Sequence, residues 1–132
     1  MYMILLALLL PAAGRAQEVL RGTDWRIYNL QGNALFTKPV DSLAGLSSYS
    51  PDKDSLMLFM AQAKKITVNG NPAWMGGYLA SCRVEGKLRK VLISFYGGFF
   101  YDPEAGKYYE LPEGMVRDWN GFLTRAYFKI PQ

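Results

Sequence analysis

Hydrophobic and polar positions alternate near the start of the chain. Between Asp24 and Leu30 apolar side chains recur at every second position, which predicts a strand with one buried face. The turn-forming residues 31–33 connect this strand to an apolar run at 34–36, so an opening hairpin is expected. Residues 37–49 show no clear period, and we interpret them as a long loop or a loop that contains a short helix.

A helical period replaces the alternation after this loop. Residues 50–52 read Ser-Pro-Asp, which combines a capping serine, a proline suited to the first turn and an acid that favours the helix N-terminus. The spacing predicts a helix over Pro51–Lys65 with Ser50 as its N-cap. Its apolar residues form a wide stripe, so we expect a largely buried helix. They are Leu56, Met57, Leu58, Phe59, Met60, Ala61 and Ala63.

Two long apolar segments then flank a tight turn. Strands are predicted over Ala73–Val84 and Lys87–Tyr96, joined by the two-residue turn Glu85-Gly86. Counting back from this turn fixes the pairing of the two strands. The expected pairs are Val84 with Lys87, Cys82 with Arg89, Ala80 with Val91, Tyr78 with Ile93 and Gly76 with Phe95.

The last third of the chain contains shorter elements. Strands at 99–101 and 107–111 extend the hairpin to a four-stranded meander, and Pro112 can open a short helix. Alternation at Ala126, Phe128 and Ile130 predicts a closing strand. The expected fold class is therefore α+β, an antiparallel sheet (meander) with one long packed helix and a short C-terminal helix.

The first sixteen residues have the organisation of a secretory signal peptide. An apolar run over Ile4–Leu10 precedes small residues at Gly14 and Ala16, which predicts cleavage after Ala16. Residues 17–132 would then form a single globular α+β domain in the periplasm or outside the cell. Because the apolar run is too short for a membrane anchor, no membrane span is expected in the mature chain.

Composition narrows the possible chemistry. The chain has no histidine and one cysteine, Cys82, which excludes histidine-based triads, histidine-ligated zinc and an intrachain disulfide. No metal or other cofactor is expected. The net charge is +4 and falls to +3 when Arg15 leaves with the leader (15 − 1 − 11 = 3), too little for a nucleic-acid-binding face.

The densest chemical feature is aromatic. Seven of the fifteen residues from 95 to 109 are aromatic, and such side chains offer rigid contact area to sugars and peptides. The tyrosines are the candidates for a ligand or partner surface, namely Tyr96, Tyr101, Tyr108 and Tyr109. The alternative is that the cluster packs in the core, since strands favour aromatic residues.

Basic residues surround the predicted Glu85-Gly86 turn. Arg83, Lys87, Arg89 and Lys90 would give this hairpin a positively charged tip, which could contact phosphate or an acidic partner. The alternative is that lysine and arginine at strand tips and edges keep the protein soluble.

Three functions remain open from the sequence. The first is a non-catalytic exported binding or interaction module that uses an aromatic-rich sheet surface to hold a protein, a glycan or an envelope component. The second is a structural or assembly component of the bacterial envelope, whose sheet edge pairs with another chain. The third is a small hydrolase with two carboxylates, although no carboxylate pair is singled out by its surroundings.

Overall fold

The structure, a computed structural model, describes residues 18–28, 37–67, 77–94 and 98–131. The expected leader lies outside these described residues, as do Tyr96 and the expected pair of Gly76 with Phe95. The described residues form an antiparallel sheet with helices packed on it, so the predicted α+β class is confirmed.

The described residues form seven strands and two α-helices. The strands are β1 (Thr23–Tyr28), β2 (Ser48–Tyr49), β3 (Lys64–Ile66), β4 (Gly77–Val84), β5 (Lys87–Ser94), β6 (Phe99–Asp102) and β7 (Lys107–Glu110). The helices are α1 (Lys53–Gln62) and α2 (Val116–Phe128), accompanied by 3-10 helices at Val19–Arg21, Val40–Gly45 and Glu113–Met115. The strand order is β2-β1-β4-β5-β6-β7-β3, in which β4 to β7 form the predicted meander.

The register of β4 on β5 agrees with the sequence-based expectation. Val84 lies opposite Lys87, Cys82 opposite Arg89, Ala80 opposite Val91 and Tyr78 opposite Ile93. The turn residues Glu85 and Gly86 both have positive φ, as a type I′ two-residue hairpin turn requires. The tight turn therefore determines which face every side chain of this hairpin occupies.

Hydrophobic residues are buried on both faces of the sheet. The face that carries α1 and α2, which we call the helix face, contributes most of the main core, including Trp25, Ile27, Tyr78, Ala80, Cys82, Val91, Ile93, Phe100 and Tyr109. On the opposite face a smaller cluster forms beneath the 3-10 helix at 40–45 and contains Tyr28, Leu43, Leu79 and Leu92. Because successive side chains of a strand point to opposite faces, the same strands contribute to a hydrophobic core on each side of the sheet.

The predicted helix after residue 50 exists, but its boundaries differ. The N-cap is Asp52, whose carboxylate accepts hydrogen bonds from the Ser55 backbone N–H (3.0 Å) and hydroxyl (2.7 Å). Ser50 instead donates its hydroxyl to the Trp25 carbonyl at 3.0 Å, so its predicted capping role is wrong. The helix ends at Gln62 because Lys64 and the two residues after it pair with β7.

The two helices also differ in length from the expectation. α2 has 13 residues and α1 has 10, so the C-terminal helix is the longer one. The predicted closing strand at 126–130 is wrong, because Ala126 and Phe128 belong to α2. Residues 37–49 contain the 3-10 helix Val40–Gly45, which confirms the second of the two interpretations, a loop with a short helix. The expected partner of β1 at 34–36 lies outside the described residues, and β1 pairs with β2 and β4.

Candidate functional site

Strand alternation divides the predicted aromatic cluster between the two faces of the sheet. Phe100 and Tyr109 are opposite each other on the helix face, are fully buried, and pack near Trp119 of α2. Burial, together with the negative charges of Glu18 and Asp102, raises the pKa of Tyr109 to about 12, although Arg89 acts to lower it. The expectation that Tyr109 belongs to a ligand surface is therefore wrong, because its side chain is fully buried in the main core.

The other tyrosines lie on the opposite face. Tyr101 and Tyr108 are cross-strand partners on β6 and β7, and their rings stack with centroids 4.3 Å apart and planes inclined by 22°. Phe99 shares this face on β6, and Ile66 lies beside Tyr108 on β3. All four side chains are only partly buried. We call Ile66, Phe99, Tyr101 and Tyr108 the aromatic patch.

The geometry of the patch determines what it can offer to a partner. Because Tyr101 and Tyr108 stack on each other, each ring has one face already occupied, which leaves at most one face together with the ring edges and the hydroxyl group for contacts with a partner. Burial raises the pKa of Tyr108, and the nearby Tyr101 raises it further. The Tyr108 phenol therefore stays protonated at neutral pH and can donate a hydrogen bond.

The predicted basic hairpin tip does not form one surface. Arg83 and Lys90 lie on the opposite face, whereas Lys87 and Arg89 lie on the helix face, because successive strand residues alternate. Arg83 forms an exposed ion pair with Asp24 (3.6 Å) and donates to the Gly86 carbonyl at 3.1 Å.

Lys90 is engaged away from the hairpin tip. Its ammonium group donates to the Lys38 carbonyl at 3.0 Å, and partial burial lowers its pKa. The four basic residues therefore divide into two pairs with different surroundings, and only Lys87 and Arg89 face the same space.

Arg89 lies in a groove that the sequence did not reveal. Its side chain is only 9% exposed and contacts two carboxylates, those of Asp102 and Glu104. The groove has a volume of about 400 Å³ and is lined by Val84, Glu85, Lys87, Arg89, Glu104, Ala105 and Lys107. We call it the hairpin groove. The sequence did contain a signal for this groove. The register of the β4–β5 hairpin and the turn after Asp102 place these charged residues at one end of the sheet.

A second groove, also missed, lies between the helices. It has a volume of about 540 Å³, and its lining includes Leu58 and Phe59 of α1 and Phe122 of α2. Leu58 is 71% exposed, although the sequence placed it in the buried stripe of the helix. The stripe was too wide for one packing interface, and this was the available signal that part of it would face solvent.

The titratable groups of the described residues show no metal-binding arrangement. No three of their Cys, Asp and Glu side chains lie close enough to hold a metal ion. Cys82 is fully buried on β4, and burial raises the pKa of its thiol to about 12. A thiol in this state is a poor nucleophile at neutral pH.

Comparison with known proteins returns no relative. No family model, no curated protein and no solved structure matches the chain. Its function therefore has to be inferred from its own surfaces.

Proposed function

We propose that the protein is a non-catalytic binding module that holds a protein partner against the aromatic patch. The observation that carries the proposal is the stacked pair of Tyr101 and Tyr108, partly exposed on two paired strands. Tyrosine is enriched at protein interfaces because it adds much contact area and a hydrogen bond while losing little conformational entropy. The two strands hold the rings in place before binding, which lowers the entropy cost further.

The stacking favours a peptide over a sugar as the ligand. A sugar ring packs flat on an exposed aromatic face, but Tyr101 and Tyr108 each use one face against the other. Ring edges and phenol hydroxyls suit backbone carbonyls and apolar side chains instead. Lys64 and Glu110 form a cross-strand pair on the same face, so the border of the patch carries both charge signs.

A second candidate is assembly through the edge of the sheet. β3 is the last strand in the sheet order and lies next to the patch, so a partner strand could add beside it. Its exposed Lys64 and Lys65 discourage unselective pairing of this edge. A partner strand paired with this edge would place alternate side chains beside Ile66, on the same face of the sheet.

The test uses peptides selected on the wild-type protein from a displayed random library. Tyr101→Ala and Tyr108→Ala should each weaken the selected peptides about tenfold or more, as expected when an interface tyrosine is lost. Phe128→Ala is the matched control, because Phe128 is an exposed aromatic residue (78%) on α2. Circular dichroism confirms that each variant is folded.

Two results would contradict the proposal. One is equal peptide affinity of the wild type and both tyrosine variants. The other is tyrosine-dependent binding on a glycan array when no peptide can be selected, which would make the ligand a sugar.

We also propose that the protein is exported, on the strength of the apolar run and small residues within 1–16. Among the described residues no helix is long and apolar enough to cross a membrane. Intact mass measured on the exported protein should correspond to a chain that begins at Gln17. A species that retains residues 1–16 would contradict export by cleavage.

A further inference from the structure

The hairpin groove brings three cationic side chains together on the helix face. Arg89 of β5 lies at its base, and Lys87 and Lys107 line the same space from β5 and β7. Neither lysine forms an ion pair with another described residue. Glu85, Asp102 and Glu104 balance these three positive charges, but the two lysines form no ion pair with a described carboxylate and can donate to a small anion that enters the groove.

Asp102 and Glu104 both form ion pairs with Arg89, and the two carboxylates differ in how easily a ligand could displace them. Asp102 is fully buried and contacts Nη2, and its other oxygen accepts a hydrogen bond from the Ala105 N–H at 3.2 Å. This contact fixes both the guanidinium and the turn after β6. Glu104 contacts Nε at 2.9 Å but its side chain is 59% exposed, so it can rotate into solvent at little cost.

We propose that the hairpin groove is a binding site for a small oxyanion, in which a carboxylate or phosphate group of the ligand replaces the Glu104 carboxylate on Arg89. The Nε edge of the guanidinium donates hydrogen bonds to the incoming oxygens, and Lys87 and Lys107 supply further positive charge. Asp102 stays in place and keeps the guanidinium aimed at the groove. Glu104 thus acts as an internal occupant that any ligand must displace.

Size and charge support this assignment. A cavity of about 400 Å³ is within the range of small-molecule sites, and it is lined mainly by charged residues. When Glu104 turns outward, three cations face Glu85 and Asp102, which leaves one positive charge for the ligand to neutralise. The site uses the helix face, whereas the aromatic patch lies on the opposite face of the sheet. The inference is therefore independent of the proposed function.

The test is an isothermal titration of the full-length protein with inorganic phosphate and, separately, with malonate. Glu104→Gln removes the internal competitor and should bind the preferred anion about fivefold more tightly than the wild type. Glu85→Gln is the matched control, since it makes the same charge change in the same groove. Because no ion pair links Glu85 to Arg89, the control should gain clearly less affinity. Lys107→Gln should weaken binding.

The outcomes separate the sources of the oxyanion and decide the proposal. Tighter binding of phosphate indicates a phosphorylated ligand, and tighter binding of malonate indicates a carboxylate ligand. Either supports the site. If Glu104→Gln and Glu85→Gln gain equal affinity for the anion, the change in net charge alone explains the effect. That result would overturn the proposal that the ligand displaces Glu104. Saturable binding of neither anion to Glu104→Gln would overturn the site itself. Tyr101→Ala should leave anion binding unchanged, so failure of one proposal does not imply failure of the other.

Discussion

Burial of the Cys82 thiol should make the protein lose stability at alkaline pH, because this thiol ionises more easily in the unfolded chain. Cys82 is fully buried on the helix face, and its pKa rises from the ordinary 9.0 to about 12, mainly through burial. Arg89 lowers this pKa and Asp102 raises it, so the two nearby charges partly cancel. Above about pH 9 the unfolded chain therefore loses a proton that the folded chain keeps.

The sign of the effect follows from proton linkage. Where the unfolded state binds fewer protons than the native state, the free energy of unfolding falls as pH rises. The contribution of Cys82 is intact below about pH 9 and is lost progressively as pH rises toward about 12. Between about pH 9 and 11, one proton over roughly two pH units corresponds to a loss on the order of 3 kcal/mol, and the full shift to about 12 corresponds to about 4 kcal/mol.

Urea unfolding of the wild type and Cys82→Ala between about pH 8 and 11 measures this loss. The alanine variant lacks the thiol but retains every other titrating group, so the difference between the two pH profiles isolates Cys82. The small cavity lowers the stability of the variant by an amount that does not depend on pH. The wild-type advantage should therefore shrink as pH rises. Native Cys82 should also react with a thiol reagent far more slowly than the urea-denatured chain. Parallel pH profiles, or native labelling as fast as in the denatured chain, would refute the reasoning.

Three further substitutions test the fold. Asp52→Ala should lower the midpoint of urea unfolding, whereas Asp52→Ser should preserve most of it, because serine can also cap a helix. Equal midpoints for the wild type and Asp52→Ala would place the start of α1 elsewhere. Asp102→Ala should cost about 3 to 5 kcal/mol in urea unfolding, because it leaves the buried Arg89 without its main partner, and a cost near zero would contradict the burial of this pair. Phe100→Ala should cost about 3 to 5 kcal/mol by the same assay, whereas Phe128→Ala should change stability by less than about 0.5 kcal/mol; similar costs would place α2 differently.

Local signals in the sequence predicted the central hairpin well. The two-residue turn at Glu85-Gly86 left one plausible register, and the pairs from Tyr78–Ile93 to Val84–Lys87 follow from it. The helix cap was harder, because both Ser50 and Asp52 are good capping residues at neighbouring positions. Which one caps depends on the contact of Ser50 with the Trp25 carbonyl, a residue of a distant strand.

The end of α2 shows a second limit of pattern reading. Ala126, Phe128 and Ile130 alternate as in a strand, but the buried members are Ala126 and Ile130, which are four residues apart. That spacing also fits a helix, and the exposed Phe128 distinguishes the two interpretations only after the structure is known.

The exposure of the aromatic and charged residues was the hardest feature to predict, because it depends on long-range packing. Alternation correctly separated Phe100 from Tyr101, yet it could not show which face α2 covers. Tyr109 is fully buried in the main core, whereas Tyr101 on the other face remains partly exposed. Likewise, Glu104 reaches Arg89 from a turn beyond the next strand, a contact that no short spacing in the sequence indicates.

The strand order also constrains when the chain can fold during synthesis. β4 to β7 pair with their sequence neighbours, whereas β1 pairs with β4 and β3 pairs with β7, far along the chain. Local pairings close quickly and distant ones slowly, so the meander should form before the ends of the sheet. Among the described strands, β1 can pair with the two-residue β2 but meets β4 only after residue 84 has been synthesised, and β3 meets no partner until β7 emerges. These two early strands therefore cannot complete their pairing until β4 and β7, respectively, have emerged, and β3 should be the last of them to join the sheet.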